Sequence, residues 1–370
     1  YSKEGSIKVE FFDLNAQHQI LKHKIDAGIS RVLKHKKFIL GPEIEELETK
    51  LKTYLGVESC ISVANGTDAI QVALMAIGVK PGDEVITPCF SYISAAEVIA
   101  LLGAKPVFVD ISDMGFNIDD KKIEEKITSR TKCIIPVNLF GQCANFNEIN
   151  RIAAKYNIPV IEDAAQSFGG STRDKKVGAF GDIAATSFYP AKPLGCYGDG
   201  GAIFTNDDDL AEECKAIRIH GTKLDKYNSE MIGLNGRLDS IQAAVLLEKL
   251  KIFDDELKMR NNVNMQYRKS LNNAQYHPKE YQSAHALFSI TLAKKSQRDS
   301  LVDRLNNSKI PCVIYYKFPI HLMAGFSFLG YKKGDLPVSE KLSKTIVSLP
   351  MHPYLADEDL FKIKKCIIQK

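Results

Sequence analysis

At 370 residues, the chain is too long for one small domain and predicts a large domain with a smaller companion. Its 45% hydrophobic and 25% charged content is that of an ordinary globular protein, and its net charge of +4 is carried by scattered lysines with no nucleic-acid motif among them. No apolar stretch reaches the ~18 residues of a membrane span, and the eight cysteines form no C-x-x-C pair or Cys/His cluster with metal spacing, so no metal site is expected. Cysteines set in apolar runs, such as Cys133 and Cys312, read as small buried hydrophobes, the reduced thiols of a cytoplasmic protein.

In chain order, the polar opening, residues 1–6, is expected to be partly disordered. Ile39-Leu-Gly-Pro42 precedes a helix predicted over 43–54, with proline at its start and acids in its first turn. A strand-like run at 60–63 leads through Ala64-Asn-Gly-Thr-Asp68 into an apolar helical pattern at 69–77. Small residues at a helix start expose backbone N–H groups, which with the helix dipole suit a phosphate; an ordinary N-cap by Thr67 or Asp68 is the other reading.

Short β-branched runs follow at 84–88, 106–110, 132–137, 159–163, 183–188 and 201–205, with helical patterns at 94–102 and 147–155 between them. That alternation predicts an α/β fold built from βαβ units: a mostly parallel central sheet with helices on both faces, binding its ligand beyond the carboxyl ends of the strands. Asp239 is expected to cap a helix over 240–253, where Ile241, Ala244 and Val245 share a face. Beyond about residue 260 the pattern becomes α+β: a long helix, a strand at 286–292, a helix at 297–307 and a strand at 310–316. The domains are therefore expected at 1–260 and 261–370, the second being the smaller.

The chemistry is concentrated at two residues. Asp163 ends the run Ile158-Pro-Val-Ile-Glu-Asp163, and Lys192 stands in a loop after the next strand, just ahead of Gly195-Cys-Tyr-Gly-Asp-Gly-Gly201. Pyridoxal phosphate (PLP) chemistry requires such a pair: a lysine for the Schiff base and a carboxylate that keeps the pyridine nitrogen protonated. A lone lysine would carry no weight, and the glycines are no dinucleotide fingerprint because they end at a strand instead of opening a helix. In the same constellation Gln166 could bond the cofactor's phenolic oxygen and Ser187 its phosphate. Phe90 could stack on the ring or simply be packed. Glu162, on the other side of the strand from Asp163, reads as structural. Arg237, within Asn235-Gly-Arg-Leu-Asp239 at a helix head, offers a guanidinium fork suited to a carboxylate. Tyr315, Tyr316 and His321 form a late polar-aromatic cluster that either lines the site or does not.

Together these residues resemble the DegT/DnrJ/EryC1/StrS family of sugar aminotransferases, fold type I PLP enzymes related to aspartate aminotransferase. The motifs are Asn65-Gly-Thr-Asp-Ala69, Pro81-Gly-Asp-Glu-Val85, Glu162-Asp-Ala-Ala-Gln166, Ser187-Phe-Tyr-Pro-Ala-Lys192, Gly198-Asp-Gly-Gly201 and Asn235-Gly-Arg-Leu-Asp239. The resemblance implies that Lys192 binds PLP covalently and carries protons, with pyridoxamine phosphate as the alternate cofactor form. Asp163 would pair with the pyridine nitrogen, Gln166 with the ring hydroxyl, and Phe90 would stack. Gly66, Thr67 and Ser187 would hold the phosphate, helped by Asn235 of a second subunit in a homodimer.

The resemblance further implies L-glutamate as amino donor and a nucleotide-linked keto-sugar as acceptor, with Arg237, Tyr315, Tyr316 and His321 as sugar contacts. The Asn-Gly-Arg-Leu-Asp form points to C3 of a UDP-linked 3-keto-N-acetylglucosaminuronate, for a bacterial surface polysaccharide. A 6-deoxy keto-sugar linked to dTDP or UDP, aminated at C3 or C4, stays open, as does a non-catalytic regulator on the same fold. A sugar dehydratase of this family would carry histidine in place of Lys192. Two residues depart from the family pattern, Ala191 before the lysine and Lys317 after the tyrosines.

Overall fold

The computed structural model describes residues 9–172, 175–225, 227–271 and 281–368, so the opening residues 1–6 lie outside it. Along the chain run α1 (Leu14–His35), α2 (Pro42–Leu55), β1 (Ser59–Val63), α3 (Gly66–Ala76), β2 (Glu84–Pro88), α4 (Ser94–Leu101), β3 (Lys105–Val109), β4 (Thr131–Ile134), α5 (Phe146–Tyr156), β5 (Ile161–Asp163), β6 (Ile183–Ser187), β7 (Gly201–Thr205) and α6 (Asp208–Ile217). They are followed by α7 (Ser240–Leu250), α8 (Phe253–Arg268), β8 (Phe288–Thr291), α9 (Lys295–Asn307), α10 (Pro337–Thr345), β9 (Ile346–Leu349) and α11 (Asp357–Ile368).

Among the described residues, seven strands make the central layer. β3, β2 and β4 pair in parallel, and parallel bridges Ile134↔Val160 and Val137↔Asp163 carry the sheet on to β5, then β6, β7 and β1. Only β7 runs against its neighbours, antiparallel to both β6 and β1. The cause is local. A parallel return needs a crossover, usually helical, whereas the segment between β6 and β7 contains no helix and simply turns back. Two reversals then leave β1 parallel to β5 and β6. The chain therefore enters α3, leaves β5 at Asp163 and leaves β6 at Ser187 along one edge of the sheet.

Both faces of the sheet are covered, as its unbroken apolar strands require. Successive residues alternate between two cores: Ile183, Ala185 and Ile203 pack with α3, α4 and α6, whereas Ala184, Ala202 and Phe204 pack with α2, α7 and α8. Residues beyond the sheet gather a core of their own, in which Val263, Tyr267, Phe288, Leu305, Val347 and Ile363 meet. α8 serves both, since Phe253 at its start belongs to the core beneath the sheet and Tyr267 at its end to the C-terminal one. Residue 260, where the composition changes, is inside this helix.

Some expected boundaries differ. The cap of α3 is Asn65, whose side chain accepts from the Asp68 N–H, so neither Thr67 nor Asp68 takes that place. Asp239 stands at the head of α7 without a side-chain capping bond, and that helix stops at Leu250, with α8 starting afresh at Phe253. The apolar run at 310–316 forms no strand; it touches the C-terminal sheet through the single bridge Val313↔Ser348.

Phe168 is the centre of the lower core, with ring centroids 5.9 Å from Phe204, 5.9 Å from Phe253 and 6.1 Å from Phe188. Phe168→Ala is expected to cost ~3–5 kcal/mol, the range for a buried aromatic truncated to a cavity. Urea unfolding would register this as a lower midpoint at unchanged slope.

Candidate active site

The three chain ends delivered to the sheet edge bring their side chains together. Asp163, the last residue of β5, is 5% exposed, and one carboxylate oxygen accepts from the Ala165 N–H at 3.0 Å. The other oxygen has no hydrogen-bond partner among the described residues. Burial raises the proton affinity of Asp163, with the Ala165 N–H and the Lys192 ammonium pulling the other way. Lys192 faces it. Surrounding protein lowers the proton affinity of its amine and the Asp163 charge restores part of it. Each group is thus the other's counter-charge in a poorly solvated cleft.

Lys192 is carried by a closed loop. The Cys196 N–H bonds back to the Phe188 carbonyl at 2.8 Å, and the Lys192 N–H bonds to the Tyr189 carbonyl at 2.8 Å, which curls the chain just before the lysine.

Beside this loop lies the start of α3. The N–H groups of Gly66 and Thr67 are left without acceptors among the described residues, as the first turn of any helix leaves them. Gly66 abuts β6 so closely that a Cβ there would stand 2.6 Å from the Ser187 Cβ, so no larger residue fits. The Ser187 Oγ accepts from the Tyr189 N–H at 3.2 Å and keeps its own proton to donate. Two open N–H groups, a hydroxyl and a helix N-terminus form a cradle for a phosphate.

Gln166 is fixed at both ends: its Oε1 accepts from the Phe140 N–H at 3.2 Å and its Nε2 donates to the Tyr316 hydroxyl at 2.9 Å. One amide hydrogen remains for a ligand. Tyr316 thus joins the cluster through Gln166, and burial raises its pKa well above that of a free phenol. Tyr315 lies beside it, with ring centroids 5.6 Å apart, and feels Tyr189 of the lysine loop.

Two expectations change. Phe90 is 0% exposed, edge-on to Tyr316 at 5.8 Å, and offers no face on which a cofactor could stack. Two residues later Tyr92 is 58% exposed and close enough to Tyr316 to act on its hydroxyl, so it is the available ring. Only its position past the end of β2 hinted at this. His321 is buried, its Nε2 meeting the Glu340 carboxylate at 3.3 Å and its ring edge-on to Tyr331, while its Nδ1 has no partner among the described residues. Glu162 behaves as the strand alternation predicts, turning to the other face, where Asn138 and the N–H groups of Gly178 and Phe180 donate to it.

Asn235, Gly236 and Arg237 pass the start of α3, where the Ala64 N–H bonds the Gly236 carbonyl at 3.1 Å. Arg237 donates to the Asn235 Oδ1 through one terminal nitrogen, while its Nε is buried without a partner. The described residues contain no group of His, Cys, Asp or Glu arranged to hold a metal ion, and none of their helices is long and apolar enough to cross a membrane.

An amine, an open carboxylate oxygen, a free amide hydrogen and open N–H groups at a helix start on one sheet edge are the donor set a PLP enzyme needs, so these residues fit that cofactor. Residues 19–368 match the DegT/DnrJ/EryC1/StrS aminotransferase family. The chain belongs to this family of PLP-dependent enzymes. It is 48% identical over 351 residues to the UDP-2-acetamido-2-deoxy-3-oxo-D-glucuronate aminotransferase of Pseudomonas aeruginosa, covering 94% of this chain and 96% of that relative. Among solved structures, DesV of S. venezuelae in complex with a ketimine intermediate superposes with a TM-score of 0.94 at 33% identity, covering 98% of each chain. NtdA of Bacillus subtilis with bound pyridoxamine phosphate reaches a TM-score of 0.90 at 31% identity, over 99% of this chain and 86% of that one.

Lys192→Ala removes the amine and no other contact of the cleft. The variant is expected to unfold like the parent but to show no borohydride-reducible attachment of the cofactor and no turnover. Residual transamination by the purified variant would show that another residue carries the chemistry.

Proposed function

We propose that this protein transfers an amino group from L-glutamate to C3 of UDP-2-acetamido-2-deoxy-3-oxo-D-glucuronate, in the synthesis of a bacterial surface polysaccharide. The observation that carries the reading is the near full-length, 48% identity to an aminotransferase of that substrate, in a chain that retains Lys192 and Asp163. Its eight cysteines are free thiols, which fits action in the reducing cytoplasm.

Lys192 would anchor PLP, Asp163 would meet its ring nitrogen through the open carboxylate oxygen, and Gln166 would donate its remaining amide hydrogen to the ring hydroxyl. The first turn of α3, at Gly66 and Thr67, holds the phosphate with Ser187, and Tyr92 supplies the stacking ring. PLP, when bound, supplies the electron sink for the carbanionic stage of the reaction. The Lys192 amine would serve as the proton carrier, removing the proton from the α-carbon of glutamate and later delivering one to C3 of the sugar. Its lowered proton affinity suits this work, because only the neutral amine can act as a base.

The functional unit in this reading is a homodimer. Phe38, Ile39 and Leu40 expose apolar side chains beside Asp239, a surface suited to a second copy. Asn235 and Arg237 lie close by in sequence, and they would complete the neighbouring site, Asn235 at the phosphate and Arg237 at the sugar carboxylate. Tyr315 lines the same cleft, whereas Tyr316 acts through Gln166.

A spectrophotometric half-reaction tests the substrate. The pyridoxamine form, made with glutamate, is mixed with UDP- and dTDP-linked 3-keto and 4-keto sugars, with and without a C6 carboxylate. The visible band of the lysine-bound cofactor is expected to return with the UDP-linked 3-keto uronate alone. Its return only with a 4-keto-6-deoxy sugar would overturn this choice of substrate. Arg237→Met should lower kcat/KM for the uronate by about 10–100-fold, the value of a charge-assisted hydrogen bond, and should lower it far less for the analogue lacking the carboxylate.

A further inference from the structure

A second lysine bears on the site without touching it. Lys249, on α7, is 1% exposed. Its Nζ donates to the Gly195 carbonyl at 2.7 Å and lies 4.3 Å from the centroid of the Tyr197 ring. It makes no ion pair with a described residue, and Glu256, whose charge reaches it from a distance, is engaged by Gln17 and Tyr354. Burying an ammonium without a carboxylate partner is costly. Leucine or methionine would fill the same space without that penalty, so the distinctive contribution of Lys249 is the bond it donates.

The bond falls on the neck of the loop that carries Lys192. Phe188 and Cys196 close that loop, and Gly195 is pressed against its other limb: a Cβ there would lie 2.6 Å from the Pro190 carbonyl oxygen and 2.7 Å from that of Tyr189. α7 holds the neck a second time, because Gln242, two turns before Lys249 on the same face, accepts from the Tyr197 N–H at 2.8 Å. From α1, His18 Nδ1 meets the Tyr197 hydroxyl at 2.9 Å.

We propose that Lys249 is a positioning residue, which through the Gly195 carbonyl sets where the Lys192 amine stands relative to Asp163. The proposal rests on Lys192 and Asp163 being the PLP lysine and its partner carboxylate. Burial brings the Lys249 pKa down to about 8, with Glu256 opposing, yet Nζ–H donates in either protonation state, so the clamp survives the titration. The lysine loop is thus fixed at its base while the Lys192 side chain stays free to move.

The test compares Lys249→Met with Lys249→Gln, whose amide restores a neutral donor, using PLP and glutamate alone. Lys249→Met is expected to fold and take up cofactor. Its glutamate half-reaction should slow by roughly 10-fold or more, as a small misplacement of a reacting group does, at unchanged KM for glutamate. The pH midpoint of the visible band should shift, and the Cys196 amide should exchange hydrogen faster in the cofactor-free protein. Lys249→Gln should recover most of each property. A Lys249→Met protein equal to the parent in rate, midpoint and exchange overturns the proposal, as does a Lys249→Gln protein no better than Lys249→Met. Should Lys249→Met fail to fold, Gln242→Ala, which breaks only the second anchor, is expected to move the same three readings less far, and no movement overturns the proposal. Since no sugar is used, the outcome is independent of the acceptor. A parent protein that forms no visible band with PLP would instead sink the functional reading itself.

Discussion

A carboxylate and an amine, both largely removed from water, have to face one cleft without being locked into a salt bridge. Taken separately, Asp163 and Lys192 would each tend to discharge on burial, and each keeps part of its charge because the other is near. Most of the local architecture follows from holding that pair. Asp163 is placed by the parallel register of β5 with β6, where it lies opposite Ala185, and by the Ala165 N–H. Lys192 is placed by a loop too short in structure to cross the sheet, which forces β7 to run antiparallel. The same reversal sets β1 parallel to β5, so that the N-terminus of α3, with its positive dipole end, opens on the same edge. One short connection thus sets both the position of Lys192 and the direction of the α3 N-terminus.

Around the pair, polar side chains are assigned so that few are left idle. Adjacent residues of one strand take opposite tasks. Glu162 holds the 178–180 turn from beneath the sheet, its pKa pushed up to about 7 by burial against four donating neighbours, while Asp163 looks into the cleft. Gln166 has both ends of its amide anchored, to Phe140 and Tyr316, which fixes the direction of its remaining hydrogen. Tyr316 arrives from the C-terminal part of the chain, so closing the Gln166 contact also ties that part to the large sheet.

What could be read from the sequence was what depends on local pattern. Short β-branched apolar runs located most of the strands to within a few residues, because each is buried on both faces, and strand ends and glycines singled out Asp163 and Lys192 as candidates. Harder to read were choices made between neighbours. Phe90 and Tyr92 are both aromatic and both follow β2, and only the packing of Phe90 into the core beside Phe140 and Leu287 decides between them. His321 looks like a site residue beside two tyrosines, and nothing in the sequence signals that Glu340 engages its Nε2. The 310–316 run has the β-branched residues of a strand, yet tertiary context gives it one bridge where a ladder was expected.

Two lysines bearing on one loop, Lys249 buried and Lys192 partly so, show how environment divides one side chain into two roles. Burying each costs more than burying a hydrophobe would, since desolvation lowers the proton affinity of each amine. Lys249 has its head tied to a backbone carbonyl and a π face, so it can do little chemistry, however low its pKa. Lys192 has a charge opposite it but no hydrogen bond to its Nζ from the described residues, which leaves its amine free for the covalent and proton-carrying role proposed for it. A reactive amine has to move, and it moves usefully only if the backbone beneath it does not. In the proposed arrangement the stationary lysine is what would allow the mobile one to be accurate.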